Sequence, residues 1–584
     1  MGSGFRLPAP GYRLPPTPLS DHSGVRTMNA RPFHVLLALA FCAQAALAQR
    51  PAAPPAVATT PQADRQTAQR LDALKADLAR EVEARAPLTA RIIDQLYSYG
   101  ELGFQEIETS RYLVRLLRDS GFTVEEGVAG IPTAFVATWG SGRPVISLGS
   151  DFDGLPQTSQ WPGIACHSEV APEAPGHGEG HNSGLAVNIT AALAARALMR
   201  RERLPGTIRL WPGVAEEIVG AKAHFVRSGL FRDVDLVLFT HVGSNLGTSW
   251  GDQDATGLVS VLFSFEGQSA HAAGAPWRGR SALDAVELMD VAWNFRREHL
   301  RLVQRSHYVI TEGGDQPNVV PPHATVWYYL REMDYPHIQE MFAIADTIAH
   351  AAAQMTGTRL ASVRIIGSAW PQHFNRVIAQ TMQANIERVG LPQWTEADQT
   401  LARAVQREVG SPDSGLAVRV DSLRPPPRES ERRGGGSDDI GDVSWNVPTV
   451  TLRYPSNVPN LPGHNWSNSI AMATPLAHKG ATAGAKVMGM TMLDFLLRPA
   501  LVDSSWSYFR NVQTRTVQYQ PLLRPEDRPA IEMNREVMAR FRPRMQRFYY
   551  DPARYGSYLE QLGVTYPTLR VAGQPCPAPA GAGR

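Results

Sequence analysis

Residues 144–156 read Pro-Val-Ile-Ser-Leu-Gly-Ser-Asp-Phe-Asp-Gly-Leu-Pro, an apolar run of strand type that passes directly into two aspartates and a turn. The same grammar recurs along the chain. A strand pattern at 207–211 is followed by Glu216-Glu217, one at 235–240 by His241, and one at 449–454 by a loop holding His464. Helical patterns lie between them, at 68–118 (Leu71, Leu74, Leu78, then Ile92, Ile93, Leu96), 183–200, 216–227 and 471–497. Strands alternating with helices predict a mostly parallel α/β sheet. Ligands of such sheets collect at the carboxyl ends of the strands, so the polar residues closing each strand are candidates for one crevice.

Between the third and fourth of these strands the pattern changes. Residues 258–265 alternate as a strand, Ser281-x-x-Asp284 opens a helix to about residue 297, strands follow at 306–311 and 323–331, then a helix at 337–355 and a strand at 359–366. The order βαββαβ predicts a ferredoxin-like α+β domain inserted into the α/β one. The expected boundaries are a signal peptide and upstream segment at 1–48, a linker at 49–66, a catalytic domain at 67–256 and 369–499, and the inserted domain at 257–368. Residues 397–436, polar and rich in Pro and Gly, are expected as a surface excursion, and 500–584 as an Arg- and Tyr-rich helical extension.

Composition narrows the class. The chain has 584 residues, 43% of them hydrophobic, and its 57 Lys+Arg against 55 Asp+Glu leave a formal charge of +2. That balance gives no basic footprint for nucleic acid. A short basic start at 28–31, the apolar run Val-Leu-Leu-Ala-Leu-Ala-Phe-Cys-Ala at 35–43 and Ala46-Leu47-Ala48 read as a secretory signal. The expectation is an exported soluble protein, periplasmic or secreted, with no membrane span in the mature chain. Of the three cysteines, Cys166 and Cys576 remain after cleavage; an oxidising compartment would permit their pairing, but spacing does not establish that they meet.

The segment His177-Gly-Glu-Gly-His-Asn182 adds Glu179 and His181 to the strand-end candidates Asp151, Asp153, Glu216, Glu217, His241 and His464. Carboxylates and imidazoles in this mixture suit one or two divalent ions such as Zn²⁺ or Mn²⁺. Adjacent acids divide the work, one binding metal while its neighbour acts as general base.

Taken in order, the motifs Glu101-Leu-Gly-Phe-Gln-Glu106, Asp151-Phe-Asp153-Gly-Leu-Pro156, residues 177–182, Ala215-Glu-Glu217, Gly267-Gln-Ser-Ala-His-Ala272, Pro317-Asn-Val-Val320, Gly436-Ser-Asp-Asp439 and Gly463-His464 resemble the co-catalytic metallo-amidohydrolases and carboxypeptidases. The branch with auxin-conjugate and p-aminobenzoyl-glutamate hydrolases is the most similar. The resemblance implies a zinc-peptidase-like three-layer domain with an inserted dimerisation lid. It implies metal ligands at Glu179, His181, Glu217, His241 and His464, two ions per subunit, Glu216 as general base and Asp153 orienting a ligand. It implies that His271 is donated across a homodimer to the partner's site and that Asn318 and Arg331 contact a small amide substrate, an N-acyl or N-aroyl amino acid or a dipeptide. One departure stands out: that branch reads His-Gly-Cys-Gly-His where this chain has Glu179. Two other readings remain open from sequence: a hydrolase or deaminase acting on a non-peptide C–N bond, and a non-catalytic binding protein with a decayed metal site.

Overall fold

A computed structural model describes residues 61–571 and 573–577. The expected signal segment and most of the expected linker lie outside them. Helices α1 (Pro61–Glu83), α2 (Ala86–Tyr99) and α3 (Ile107–Asp119) come first. Residues 61–66, expected as linker, are helical, and proline's fixed φ suits the first position of α1. α2 buries Ile92, Ile93 and Leu96 and stops where Gly100 turns left-handed. Strands β1 (Thr123–Glu126) and β2 (Phe135–Ser141) form an antiparallel hairpin, and the opening stretch becomes β3 (Val145–Asp151), buried at every residue. Next come α4 (Gly184–Glu202), β4 (Gly206–Gly213), α5 (Lys222–Ser228), β5 (Leu236–Gly243) and the short β6 (Gly247–Thr248) and β7 (Gly251–Asp252).

The inserted domain holds β8 (Gly257–Glu266), α6 (Ala282–Arg296), β9 (Arg305–Glu312), β10 (His323–Glu332), α7 (Tyr335–Thr356) and β11 (Arg359–Ala369). The expected βαββαβ order is present. The return passes through β12 (His373–Phe374), α8 (Arg376–Val389), α9 (Glu396–Glu408), α10 (Ile440–Ser444), β13 (Thr449–Pro455), α11 (Trp466–Ser469) and α12 (Pro475–Leu497). The C-terminal segment adds α13 (Pro499–Tyr508), α14 (Arg535–Met545) and α15 (Tyr558–Leu562).

The large sheet runs β1-β2-β4-β3-β5-β13-β6. Its four central strands are parallel, as the alternation of elements predicts, and antiparallel β2 and β6 flank them. Helices α4 and α12 are apolar or small on nearly every side because each is enclosed, and one core joins them to the sheet in a three-layer α/β domain. The inserted sheet runs β11-β8-β10-β9, antiparallel throughout. β10 alternates strictly: Val326, Tyr328 and Leu330 face a second core under α6 and α7, whereas Trp327, Tyr329 and Arg331 stay half-buried on the opposite face.

Three expectations need correction. The helix expected over 216–227 is broken: Glu216–Ile218 is one 3₁₀ turn between left-handed Ala215 and Val219, and helix resumes only at Lys222. The excursion 397–436 begins as helix α9, whose Leu401, Ala402 and Val405 are buried and whose Thr395 and Asp398 cap each other reciprocally; only the part beyond it is largely irregular. The 500–584 extension is helical only in pieces, with irregular backbone over most of 514–534. In addition, Cys166 and Cys576 form a disulfide across a Cα separation of 5.9 Å, fastening the end of the chain to the catalytic domain. Among the described residues no helix is long and apolar enough to cross a membrane.

Candidate metal centre

β4 ends at Gly213 against the loop that precedes α3, and the fit there fixes the acidic pair. A side chain at Gly103 would put its Cβ 2.8 Å from the Ala215 Cα, so only glycine allows the two loops to touch. Ala215, left-handed at φ 53, donates its N–H to Glu106 Oε1 at 2.9 Å. This sharp turn presents Glu216 and Glu217. The Glu217 N–H donates to Asp153 Oδ2 at 3.1 Å, and Asp153 Oδ1 lies 3.3 Å from His181 Nδ1. Asp153 therefore braces both the glutamate turn and the histidine. The 177–182 loop is anchored by Asn182, which donates to the carbonyls of Ile93 and Met472, and it bends at Gly180 with φ +121, where a Cβ would meet Met472 Sδ at 2.4 Å.

The five residues expected as ligands come together. Glu179 Oε1 lies 3.3 Å from His241 Nε2, Glu179 Oε2 lies 3.2 Å from His464 Nε2, and Glu217 Oε2 lies 3.5 Å from His464 Nε2. His181 Nε2 is 3.4 Å from His241 Nε2 and 3.9 Å from both Glu179 and Glu216. Each buried histidine has its Nδ1 engaged, His181 by Asp153 and His241 by the Val242 carbonyl, which turns both Nε2 atoms inward.

The donor set fits divalent metal. The Glu217 Oε1 atom is buried without a hydrogen-bond partner, and two imidazole nitrogens face each other across 3.4 Å. The electrostatics agree: burial, then the Glu179 carboxylate, push Glu217 well above the usual carboxylate range, a strain that a cation between them removes. Burial also disfavours charge on Glu179, but hydrogen bonds from His241 and His464 outweigh it and hold that carboxyl low. Glu216 is pushed upward by burial and then by the Asp438 and Asp151 carboxylates.

Sequence reasoning missed a second layer beneath the site. Lys222 is fully buried, and its Nζ reaches Asp151 Oδ1 at 2.6 Å, Asp439 Oδ1 at 2.5 Å and Asp438 Oδ1 at 3.4 Å. Asp151, first read among the strand-end candidates, is thus committed to a lysine on one oxygen. The two other acids belong to the quoted 436–439 motif. Nothing near Lys222 in the sequence distinguishes it from a surface lysine at a helix start.

The cleft above the centre has a volume of about 450 Å³ and lies between the catalytic domain and the inserted sheet, whose Trp327, Tyr329 and Tyr308 line it opposite Leu155, Ile218 and Glu217. Arg331 continues the Trp327–Tyr329 face, stacks on the Tyr329 ring at 5.2 Å and keeps a buried Nε without a hydrogen-bond partner. His271 and Asn318 are elsewhere. Both are exposed on the inserted domain, where the Asn318 carbonyl accepts from the Ala272 N–H at 3.0 Å, and neither makes a hydrogen bond or ion pair with the ligand cluster among the described residues. His271 Nδ1 accepts from the N–H groups of Ala273 and Gly274 at 3.2 and 3.0 Å, so the ring proton resides on Nε2, directed away as a donor.

Comparisons with known proteins agree with this geometry. Residues 255–356 match the peptidase dimerisation domain of the M20 family. The chain is 32% identical to the B subunit of the p-aminobenzoyl-glutamate hydrolase of Escherichia coli (strain K12) over 454 residues, covering 74% of this chain and 92% of that one. It is 26% identical to the Xaa-Arg dipeptidase of Mus musculus, covering 76% and 94%. Among solved structures, an aminohydrolase from methicillin resistant Staphylococcus aureus shares the fold with a TM-score of 0.50 at 18% identity, covering 72% of this chain and 100% of that one. The chain belongs to the M20 family of metal-dependent amidohydrolases and peptidases, alongside the p-aminobenzoyl-glutamate hydrolase.

Proposed function

We propose that this protein is an exported, two-metal hydrolase that cleaves the amide bond of small N-acyl or N-aroyl amino acids or dipeptides. The observation that carries the reading is the meeting of Glu179, His181, Glu217, His241 and His464 beside a spare glutamate, Glu216, at the base of an aromatic-lined cleft. Those five residues would hold two divalent ions such as Zn²⁺ or Mn²⁺, which would supply Lewis acidity for the amide carbonyl and lower the pKa of bound water. Glu216, free of ligand duty, accepts a proton from the attacking water and returns it to the leaving nitrogen. Arg331, the arginine on the cleft face of β10, takes the substrate carboxylate. A binding protein with a decayed site has no use for Glu216 in this place.

His271 reaches the active site of a second copy, where its Nε2–H donates to the developing oxyanion. Three features support a homodimer through the inserted domain. That domain matches a dimerisation model, β9 is an unpaired edge strand, and the adjoining surface exposes Phe295 (74%), Val291 (49%) and Ile310 (45%). The Cys166–Cys576 disulfide supports export, since such bonds persist in oxidising compartments.

The test is amine release from a panel of N-acyl amino acids, N-aroyl glutamates and dipeptides by protein reconstituted with Mn²⁺ or Zn²⁺. Turnover is expected on at least one class, falling about 10³-fold or more in Glu216→Ala while metal content stays unchanged. Full metal loading with no amide turnover would favour a non-peptide C–N substrate, and failure to bind metal would remove the hydrolase reading.

A further inference from the structure

The cleft has a wall that belongs to neither the catalytic domain nor the inserted one. Asn534, in the irregular stretch before α14, lines it beside Leu102 and Gly103. The position is built rather than incidental. Asn534 is left-handed (φ 62, ψ 2), a conformation asparagine tolerates, and its Nδ2 donates to the Gly103 carbonyl at 3.0 Å. The Gln105 side-chain amide donates to the carbonyls of Ile531 and Met533 at 3.1 and 2.9 Å, and Arg542 of α14 reaches Glu101 Oε1 at 2.9 Å and the Gln105 carbonyl at 2.8 Å. The loop that packs on the glutamate turn is thus also the loop on which the C-terminal segment is seated.

Apart from the ring of His307, which also lines the cleft, its polar side-chain atoms are mostly committed. Trp327 Nε1 donates to Ser260, the Tyr329 hydroxyl donates to the Glu217 carbonyl, and Glu217 and His464 belong to the metal centre. With Nδ2 fixed on Gly103, the atom Asn534 offers to a ligand is Oδ1, an acceptor that makes no hydrogen bond among the described residues.

We propose that Asn534, seated by the 531–533 stretch, closes a third side of the substrate cleft and determines specificity, its Oδ1 accepting a hydrogen bond from a donor carried by the flat, apolar acyl group of the substrate. This rests on the amidohydrolase reading for the placement of the acyl group: Arg331 takes the carboxylate half, which leaves the aromatic slot to the acyl half. An acyl group bearing a hydroxyl or amino donor satisfies Oδ1, whereas one bearing an ether oxygen at the same place sets acceptor against acceptor and leaves a desolvated carbonyl unpaired.

The test needs no turnover. Binding of benzoate, its meta- and para-hydroxyl derivatives and the matching methoxy derivatives to the metal-reconstituted full chain is measured by calorimetry. At least one hydroxybenzoate is expected to bind about five- to tenfold tighter than its methoxy partner, the size of one hydrogen bond in a dry site. Asn534→Gly, which keeps the left-handed backbone, should bring that ratio to within about twofold. The proposal is overturned if the native protein binds none of these acids, if it does not discriminate, or if Asn534→Gly discriminates equally at an unchanged thermal midpoint. Discrimination without hydrolysis of any amide would instead remove the amidohydrolase reading and leave this wall in place as a binding determinant.

Discussion

Glu179 is where this chain departs from the motif of the branch it resembles, and its geometry bears on the consequence. Its two oxygens face different histidines, His241 and His464, an arrangement a single thiolate sulfur does not reproduce. A carboxylate is also the harder donor and is not subject to thiol oxidation. Glu179→Cys is expected to shift metal preference from Mn²⁺ toward Zn²⁺ by about tenfold in relative affinity and to make activity sensitive to oxidant. Equal preference and equal activity in reducing and oxidising buffers would refute this. A second residue-scale effect lies away from the centre. His224 is buried, and burial, then Arg227, hold its pKa down to about 3, with Arg227 Nη2 2.8 Å from its Nδ1. An unfolded histidine titrates near 6.5, so stability is complete above that pH and is lost as pH falls toward 3, because the unfolded chain takes up a proton that the native one refuses. Urea unfolding of His224→Gln should show a loss between pH 7 and pH 4 smaller by ~3 kcal/mol than that of the parent chain. The candidate ligands were legible because Glu217, His241 and His464 follow apolar strand runs, while Glu179 and His181 share one short Gly-spaced motif. Lys222 was not, because the three aspartates that justify burying it come from two distant segments and meet only in the fold.

At the scale of elements, period and length carried the reading. β10 alternates cleanly and β8 does so from Val261 onward, so their existence and faces were readable, whereas the 216–227 helix was read through a break that two left-handed residues impose. A β-branched residue such as Val219 rarely adopts positive φ, so no propensity argument places the break there. Helix α9 was hidden for the opposite reason: the spacing of Leu401 and Val405 fits a helix, but the polar and Pro-rich residues beyond it dominated the window. α14 supplies a test of the C-terminal segment. Its Arg542 meets Glu101, whose carboxyl is fully buried and, despite hydrogen bonds from the Glu108 and Thr109 amides, is raised by desolvation. Removing the arginine strands a buried acid, so Arg542→Met should destabilise the chain by about 3–5 kcal/mol, with much of that recovered when Glu101→Gln is added. Denaturant midpoints of the two variants decide it, and a cost under about 0.5 kcal/mol would mean that the pair is not seated as described.

For the whole molecule, His271 and the candidate metal centre lie in different parts of one chain, and the proposed working site draws on two copies. Mixing inactive Glu216→Ala with inactive His271→Ala under conditions of subunit exchange should restore activity to about a quarter of the native level, since half of the dimers are mixed and each has one intact site. No recovery, or a monomer by light scattering, would place the oxyanion donor elsewhere. The C-terminal segment completes the assembly in another way. Arg364 of β11 pairs with Glu532, Arg524 Nη2 donates to the Val363 carbonyl at 2.8 Å, and Leu522 and Leu523 enter the core of the inserted domain, while Tyr519 and Gln105 tie the same stretch to the catalytic domain. This strap was not legible in the sequence, because irregular segments have no period.

The strap also follows all of the candidate ligands in the sequence. All five candidate ligands, His464 included, precede Asn534 and Arg542 in the sequence, and Cys576 comes later still. While it is being synthesised, the chain carries all of its ligands before it has a finished cleft. On the proposed reading, a chain stopped before Asn534 would hold the candidate ligands and lack the wall that discriminates between acyl groups.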